Sequence, residues 1–182
     1  MTLFVIITLI ILFTVLILSA SYNSLIHRKN ALHYAYNGLE TMLQKRYDVL
    51  PKLAEVVKTS ALFEQQLIQQ ASALAAGQEY QRLPAGERMR KENQLVLSIQ
   101  EITQELAKDG GVRQQKSFMH LQRSIVEVEE QIAAARRAYN AAAMEYNNAI
   151  VMFPSVVFAI LLGYEPVDPL DLMVLNAEYT EL

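Results

Sequence analysis

The sequence predicts an all-α protein: an N-terminal transmembrane helix continuing into an antiparallel four-helix bundle with coiled-coil-like packing. Three observations carry this. The chain opens on a long uncharged apolar run. Apolar residues then recur at spacings of three and four, the period of a helix face. Finally, 182 residues hold only 6 Gly and 5 Pro, too few for a loop-rich β protein or a low-complexity chain. The chain has no Cys, which excludes a disulfide framework and a thiolate zinc site.

Residues 1–22 form the expected anchor. Nothing is charged between Thr2 and Ile26, and Leu3 to Leu18 is interrupted only by Thr8 and Thr14. Such hydroxyls bond back to their own helix and cost little in lipid. The run to Tyr22 makes roughly 30 Å of helix, the thickness of a hydrocarbon core. Leu3, Phe4, Ile10, Phe13 and Leu18 are the expected lipid contacts. A cleaved signal peptide ending near Ser19-Ala20-Ser21 is the competing reading, but there is no basic leader and the apolar run is too long. A buried soluble helix fits worse, because no polar stripe interrupts the run. Arg28 and Lys29 follow the anchor and no base precedes it, so the positive-inside rule puts the N-terminus outside and the bundle in the cytoplasm.

Residues 23–152 supply the bundle. Tyr22, Leu25, Leu32, Tyr36, Leu39 and Leu43 make the first stripe, with Lys29 its polar member. Asp48-Val49-Leu50-Pro51 reads as a stop and restart, with Asp48 as N-cap and Pro51 in the first turn. A second helix to about Ala76 follows, its stripe holding Glu64, and Gly77 closes it. Leu83-Pro84-Ala85-Gly86 breaks the chain. The third helix presents Leu95, Ile99, Ile102 and Leu106 and ends at Asp109-Gly110-Gly111. The charges from Arg82 to Glu92 read as a solvated helix start. The fourth helix, from Val112 to Met152, carries the longest seam: Phe118, Leu121, Ile125, Val128, Ile132, Ala135, Tyr139, Ala142, Tyr146, Ala149 and Phe153. A sustained 3.5-residue period means left-handed supercoiled packing.

With four helices in alternation, the last returns to the membrane end. Residues 153–163 are uncharged and apolar yet too short to span a bilayer. They lie either in the interface or against the anchor, or else they cap the bundle core. Phe153, Phe158 and Leu161 are the expected lipid contacts there. Residues 164–182 form an acidic, non-helical tail with Pro166 and Pro169, expected to dock on protein, since an anionic leaflet would repel it.

Charge is divided along the chain. All 16 Lys and Arg lie at or before Arg137, where the net charge is +3, and residues 138–182 carry −6. Neither the net charge of −3 nor the interleaved acids suit a nucleic-acid binder, so no nucleic-acid partner is expected.

Several fixed spacings resemble the LemA family. Tyr22-Asn23-x-Leu25-Ile26 through Asn30, Ala35-Tyr36, Leu43 and Arg46-x-Asp48-Val49-Leu50-Pro51-x-Leu53 resemble its N-terminal signature. Arg136-Arg137-x-Tyr139-Asn140, Tyr146-Asn147, Phe153-Pro154 and Gly163-Tyr164-x-Pro166 resemble its C-terminal one. The resemblance implies a single-pass helical protein of the bacterial cytoplasmic (inner) membrane, associated with shaping membrane compartments or with membrane metalloproteases. Tyr36, Lys29 and Lys52 depart from the usual Trp, Arg and Asn.

Catalytic chemistry is hard to assemble. His27, His33 and His120 form no HExxH, the glycines form no phosphate loop, and no GxSxG elbow occurs. Glu64 and Glu129 lack the Glu-x-x-His pairing of a dimetal bundle, so no cofactor and no metal are expected. With Arg46, Asp48 and Arg136 they read as a polar network fixing helix register. Asn23, Asn140 and Asn147 are expected to bond across helices. The expectation is a non-enzymatic membrane scaffold that self-associates into a homo-oligomer on the lipid bilayer. The alternative is an adaptor or regulator of a membrane-bound enzyme such as a metalloprotease.

Overall fold

The computed structural model describes residues 1–59, 69, 72 and 85–170, with the side chains of 59 and 85–90 outside the description. The described residues contain helices and no strand. They are α1 (Thr2–Thr59), α2 (Ala85–Lys108), α3 (Gly110–Arg113), α4 (Lys116–Val151) and α5 (Ser155–Leu161). Chain contacts group into two compact units. The first joins Met1–Leu39 to Ala135–Leu170; the second holds, among the described residues, 40–59, 69, 72 and 85–134.

In the first unit, α1 opens as the apolar rod expected. Its N-terminal part is long and apolar enough to cross a membrane, and none of that stretch is buried in the protein. Thr8, Thr14 and Ser21 donate to the carbonyls of Phe4, Ile10 and Ile17 at 2.8–2.9 Å, so the polar atoms in the run are satisfied inside the helix. Further along, α1 and the end of α4 run antiparallel, as the pairs Arg28–Glu145 and Tyr36–Tyr139 show. Leu25 is fully buried among Tyr146, Ala149, Ile150 and Ala159.

The second unit has a larger core. Tyr47, Leu50, Leu53 and Val57 from α1 meet Leu95, Ile99, Ile102 and Leu106 from α2 and Phe118 and Leu121 from α4. Val112 of α3 plugs this core at 2% exposure. Asp109 starts that single turn, its carboxylate accepting from the Gly111 and Val112 amides.

Three elements differ from the sequence expectation. The chain does not stop at Asp48-Pro51: α1 passes straight through, with Pro51 inside it. Asp48 is therefore an exposed mid-helix residue within reach of Gln44, and no N-cap. An internal proline costs a helix about 3 kcal/mol. Burial of Tyr47, Leu50, Leu53 and Val57 on both sides of it offsets that cost. The second expected helix thus begins as α1, and its remainder, with Glu64 and Gly77, lies outside the described residues. The last long helix starts at Lys116, because Asp109 turns Gly110–Arg113 into a separate turn.

Third, the α4 seam shifts. Burial follows Phe118, Leu121, Ile125, Val128 and Ile132, then Arg136, Tyr139, Ala143, Tyr146 and Ile150. Two steps of four in succession, from Val128 through Ile132 to Arg136, put Arg136 and Ala143 in the stripe in place of Ala135 and Ala142, while Tyr139, Tyr146 and Ala149 stay buried and Ile150 joins them. This is the drift of a 3.6-residue helix against a 3.5 repeat. Ala135 and Ala142 become half-buried flanks. Phe153 leaves the seam altogether, 84% exposed, because α4 ends at Val151 and the chain turns by 92° into α5.

Candidate functional site

Two places in the described residues concentrate chemistry. One is an ionic cluster inside the second unit; the other is the anchor end of the first.

The cluster is built on seam positions. Leu43, Arg46, Leu50, Leu53 and Val57 follow the three–four spacing on α1, so the helix itself turns Arg46 into the core. On α2 the same spacing run backwards from Leu95 gives Glu92. Arg46 is 2% and Glu92 1% exposed. Arg46 grips Glu129 of α4 side-on, Nε to Oε1 at 2.8 Å and Nη2 to Oε2 at 2.8 Å. Its Nη1 donates to Glu92 Oε2 at 2.7 Å, and Tyr47 donates its hydroxyl to Glu92 Oε1 at 2.7 Å. One guanidinium thus ties three helices through a planar fork of donors that lysine lacks.

Of the residues read as a polar network, Arg46 and Glu129 meet here. Asp48 points to solvent, Glu64 lies outside the described residues, and Arg136 is buried at 5% exposure in the first unit. Glu92 is the member that the sequence reading misses. It falls in the charge run read as a solvated helix start, although its three-residue offset from Leu95 marks it as facing inward. Among the described residues, no group of three His, Asp or Glu is placed to hold a metal.

At the anchor end, α5 is uncharged and divides by face. Ala159 is buried and Phe158 half-buried, the Phe158 ring edge-on to Tyr22 of α1 with centroids 5.5 Å apart. The opposite face, Val157, Ile160 and Leu161, is exposed, the last two at 76% and 75%. Of the expected lipid contacts, Leu3, Phe4, Ile10, Phe13 and Leu18 on α1 and Phe153 and Leu161 near α5 are all exposed apolar side chains. Beside them is an open cleft of about 460 Å³, lined in part by Ser21, Ser24, Arg28, Glu145, Asn148 and Ser155. Asn23 is exposed.

α5 ends in a Schellman turn. Gly163 takes φ +64°, its amide reaches Ile160 O, and the Tyr164 amide reaches Ala159 O at 2.9 Å. The chain then runs back along α4 as an extended strap, 164–170. Asn147 donates to Val167 O at 2.8 Å and accepts from Val167 N at 2.9 Å. Asn140 does the same with Leu170, at 2.9 and 2.8 Å. These two asparagines therefore bind the tail's backbone and not another helix, contrary to the sequence expectation. Each presents a donor and an acceptor side by side, which is what an extended residue offers. Lys29, the odd member of the α1 stripe, sits 3.8 Å over the Tyr164 ring. Tyr139 has its hydroxyl 3.4 Å from Asp168 O. Burial, then the nearby Asp168 charge, raise the Tyr139 pKa above its ordinary value. Burial, then Tyr164 and Glu165, do the same for Tyr146.

No curated protein sequence matches the chain closely enough to count as a relative. A family model does match, over residues 35–178, a stretch that takes in the Arg46–Glu129 clamp, the asparagine pair and the strap. By that match the chain belongs to the LemA family.

Proposed function

We propose that this chain is a non-enzymatic, membrane-anchored helical scaffold that self-associates and organises or shapes the bacterial cytoplasmic membrane, its N-terminus outside and its bundle in the cytoplasm. One observation carries the reading. α5 leaves α4 at 92°, packs one face on the base of the anchor helix, and leaves Val157, Ile160 and Leu161 exposed on the other. With α1 along the membrane normal and α4 antiparallel to it, a helix at a right angle lies flat at the interface, where an uncharged apolar face has a use. A helix of this kind widens the anchor's footprint in one leaflet, and many copies acting together impose curvature or order.

The test reconstitutes the full chain in phosphatidylethanolamine–phosphatidylglycerol vesicles with an environment-sensitive probe at Leu161 and brominated acyl chains. Quenching of the probe, together with altered vesicle shape at high protein density, is the expected result. An unquenched probe, or vesicles unchanged by any density of protein, overturns the reading. Ile160→Ser with Val157→Ser is expected to leave the protein anchored through α1 but to abolish the change in vesicle shape.

A further inference from the structure

The strap has a period of its own. Its inward residues are Tyr164, Val167 and Leu170, while Glu165, Pro166, Asp168 and Pro169 are exposed. The sequence repeats to match: Pro166-Val167-Asp168, then Pro169-Leu170-Asp171. Three residues are one turn of polyproline II, roughly 9 Å long. Asn140 and Asn147 are seven residues apart, two turns of α4, roughly 10 Å. The two repeats agree within about an ångström, so two asparagines on one helix face read two successive strap turns. Each uses both hydrogen-bonding groups of its amide. Proline before each paired residue removes competing conformations and no needed N–H.

This is recognition of backbone, with small apolar contacts from Val167 and Leu170 for register. It does not record which molecule supplies the backbone. Every copy carries one such ladder and one such strap. Gly163 joins α5 to the strap at φ +64°, with no atom within 4 Å of where a Cβ would stand.

We propose that the Asn140–Asn147 face of α4 is a binding site for an extended, proline-punctuated peptide, and that in the assembled protein it takes the 164–170 strap of a second copy. The inference rests on the self-association proposed above and supplies its linkage. Two copies that trade straps close a pair; straps passed head to tail build rings or open filaments. Val167 is only four residues along from Gly163, roughly 13 Å when extended, so exchange needs copies in direct contact. A common membrane plane and a common α5 footing provide that.

The test uses the full chain in detergent micelles and a fluorescent peptide, acetyl-Gly-Tyr-Glu-Pro-Val-Asp-Pro-Leu-amide. A strap-disabled chain, Val167→Pro with Leu170→Pro, loses both donor amides and frees the ladder. It is expected to bind the peptide, and adding Asn140→Ala and Asn147→Ala is expected to weaken binding by about tenfold or more. In the wild-type chain, excess peptide is expected to disperse oligomers. Peptide binding indifferent to both asparagines overturns the site. Oligomers that persist unchanged in saturating peptide overturn the exchange while leaving self-association standing; a strictly monomeric chain overturns both. Should the strap-disabled chain fail to fold, hydrogen exchange decides. The Val167 and Leu170 amides are expected to be protected in the wild type and to lose that protection in Asn140→Ala with Asn147→Ala; unchanged protection overturns the ladder.

Discussion

Arg46, itself 2% exposed, pairs with two carboxylates from two other helices, its Nη1 and Nη2 donating while its Nε makes an ion pair with Glu129 and no hydrogen bond of its own. Removing such a cation leaves Glu92 buried, with the Tyr47 hydroxyl its remaining hydrogen-bond donor among the described residues. Arg46→Ala is expected to destabilise the fold by about 3–5 kcal/mol, read by chemical denaturation, because an uncompensated buried charge costs more than the pair contributed. Replacing the three charges together, Arg46→Met with Glu92→Leu and Glu129→Leu, is expected to recover most of that loss. Tyr47→Phe removes one hydrogen bond to a charged group and is expected to cost about 1.5–3 kcal/mol. The tyrosines of the strap site titrate in the opposite regime. Tyr139 and Tyr146 have folded pKa values raised above 10.0, so the folded state holds their protons more tightly than the unfolded chain. Their contribution is complete below pH 10 and disappears as pH rises through the raised values. A melting profile from pH 8 to 11 is expected to fall at the alkaline end, and less steeply in Tyr139→Phe with Tyr146→Phe. At this scale the sequence is half legible. Arg46 and Glu129 stand out as charges in or beside an apolar stripe, whereas Glu92 is hidden by charged neighbours that share its segment and not its face. The roles of Asn140 and Asn147 cannot be read, since their partner is a backbone that folds back from beyond α5.

Elements are read from period, and period is blind to whether a proline is tolerated. Asp48-Val49-Leu50-Pro51 has every local mark of a helix start, yet Leu43, Leu50, Leu53 and Val57 keep one unbroken phase across it. Packing along that phase outweighs one missing hydrogen bond. Pro51 is exposed, so alanine fits there and restores an amide to the Tyr47 carbonyl. Pro51→Ala is therefore expected to raise the melting temperature, with a gain of up to about 3 kcal/mol. A neutral or negative result overturns the cost assigned to Pro51. The seam of α4 is legible in kind and wrong in detail, because a sequence with alanines at 135, 142, 143 and 149 lets two adjacent stripes look equally apolar. Arg136 decides between them: only the shifted stripe includes it. Gly163 is the opposite case, where one residue sets an element's end. Gly163→Ala places a Cβ at φ +64° and is expected to cost about 1–2 kcal/mol, lost from the strap and not from either core.

For the whole molecule, orientation is the property that charge alone argues. The 26 residues before His27 hold no charged side chain, and Arg28 and Lys29 are the first bases after the apolar rod. Counted within the short distance over which flanking charge acts, the bias is two bases to none. A bias of two charges is small. The bundle is therefore expected to face the cytoplasm through a preference that few charges can reverse. Because the chain has no Cys, a single introduced thiol reports position cleanly. Glu130→Cys on the exposed side of α4 is expected to resist a membrane-impermeant maleimide in intact cells and to react after lysis. Inserting three lysines ahead of Leu3 is expected to turn a measurable fraction of chains over, so that the introduced thiol reacts before lysis. If instead the label reaches that thiol in intact cells without the insertion, the apolar rod has been read in the wrong direction. α5 would then rest on the outer leaflet.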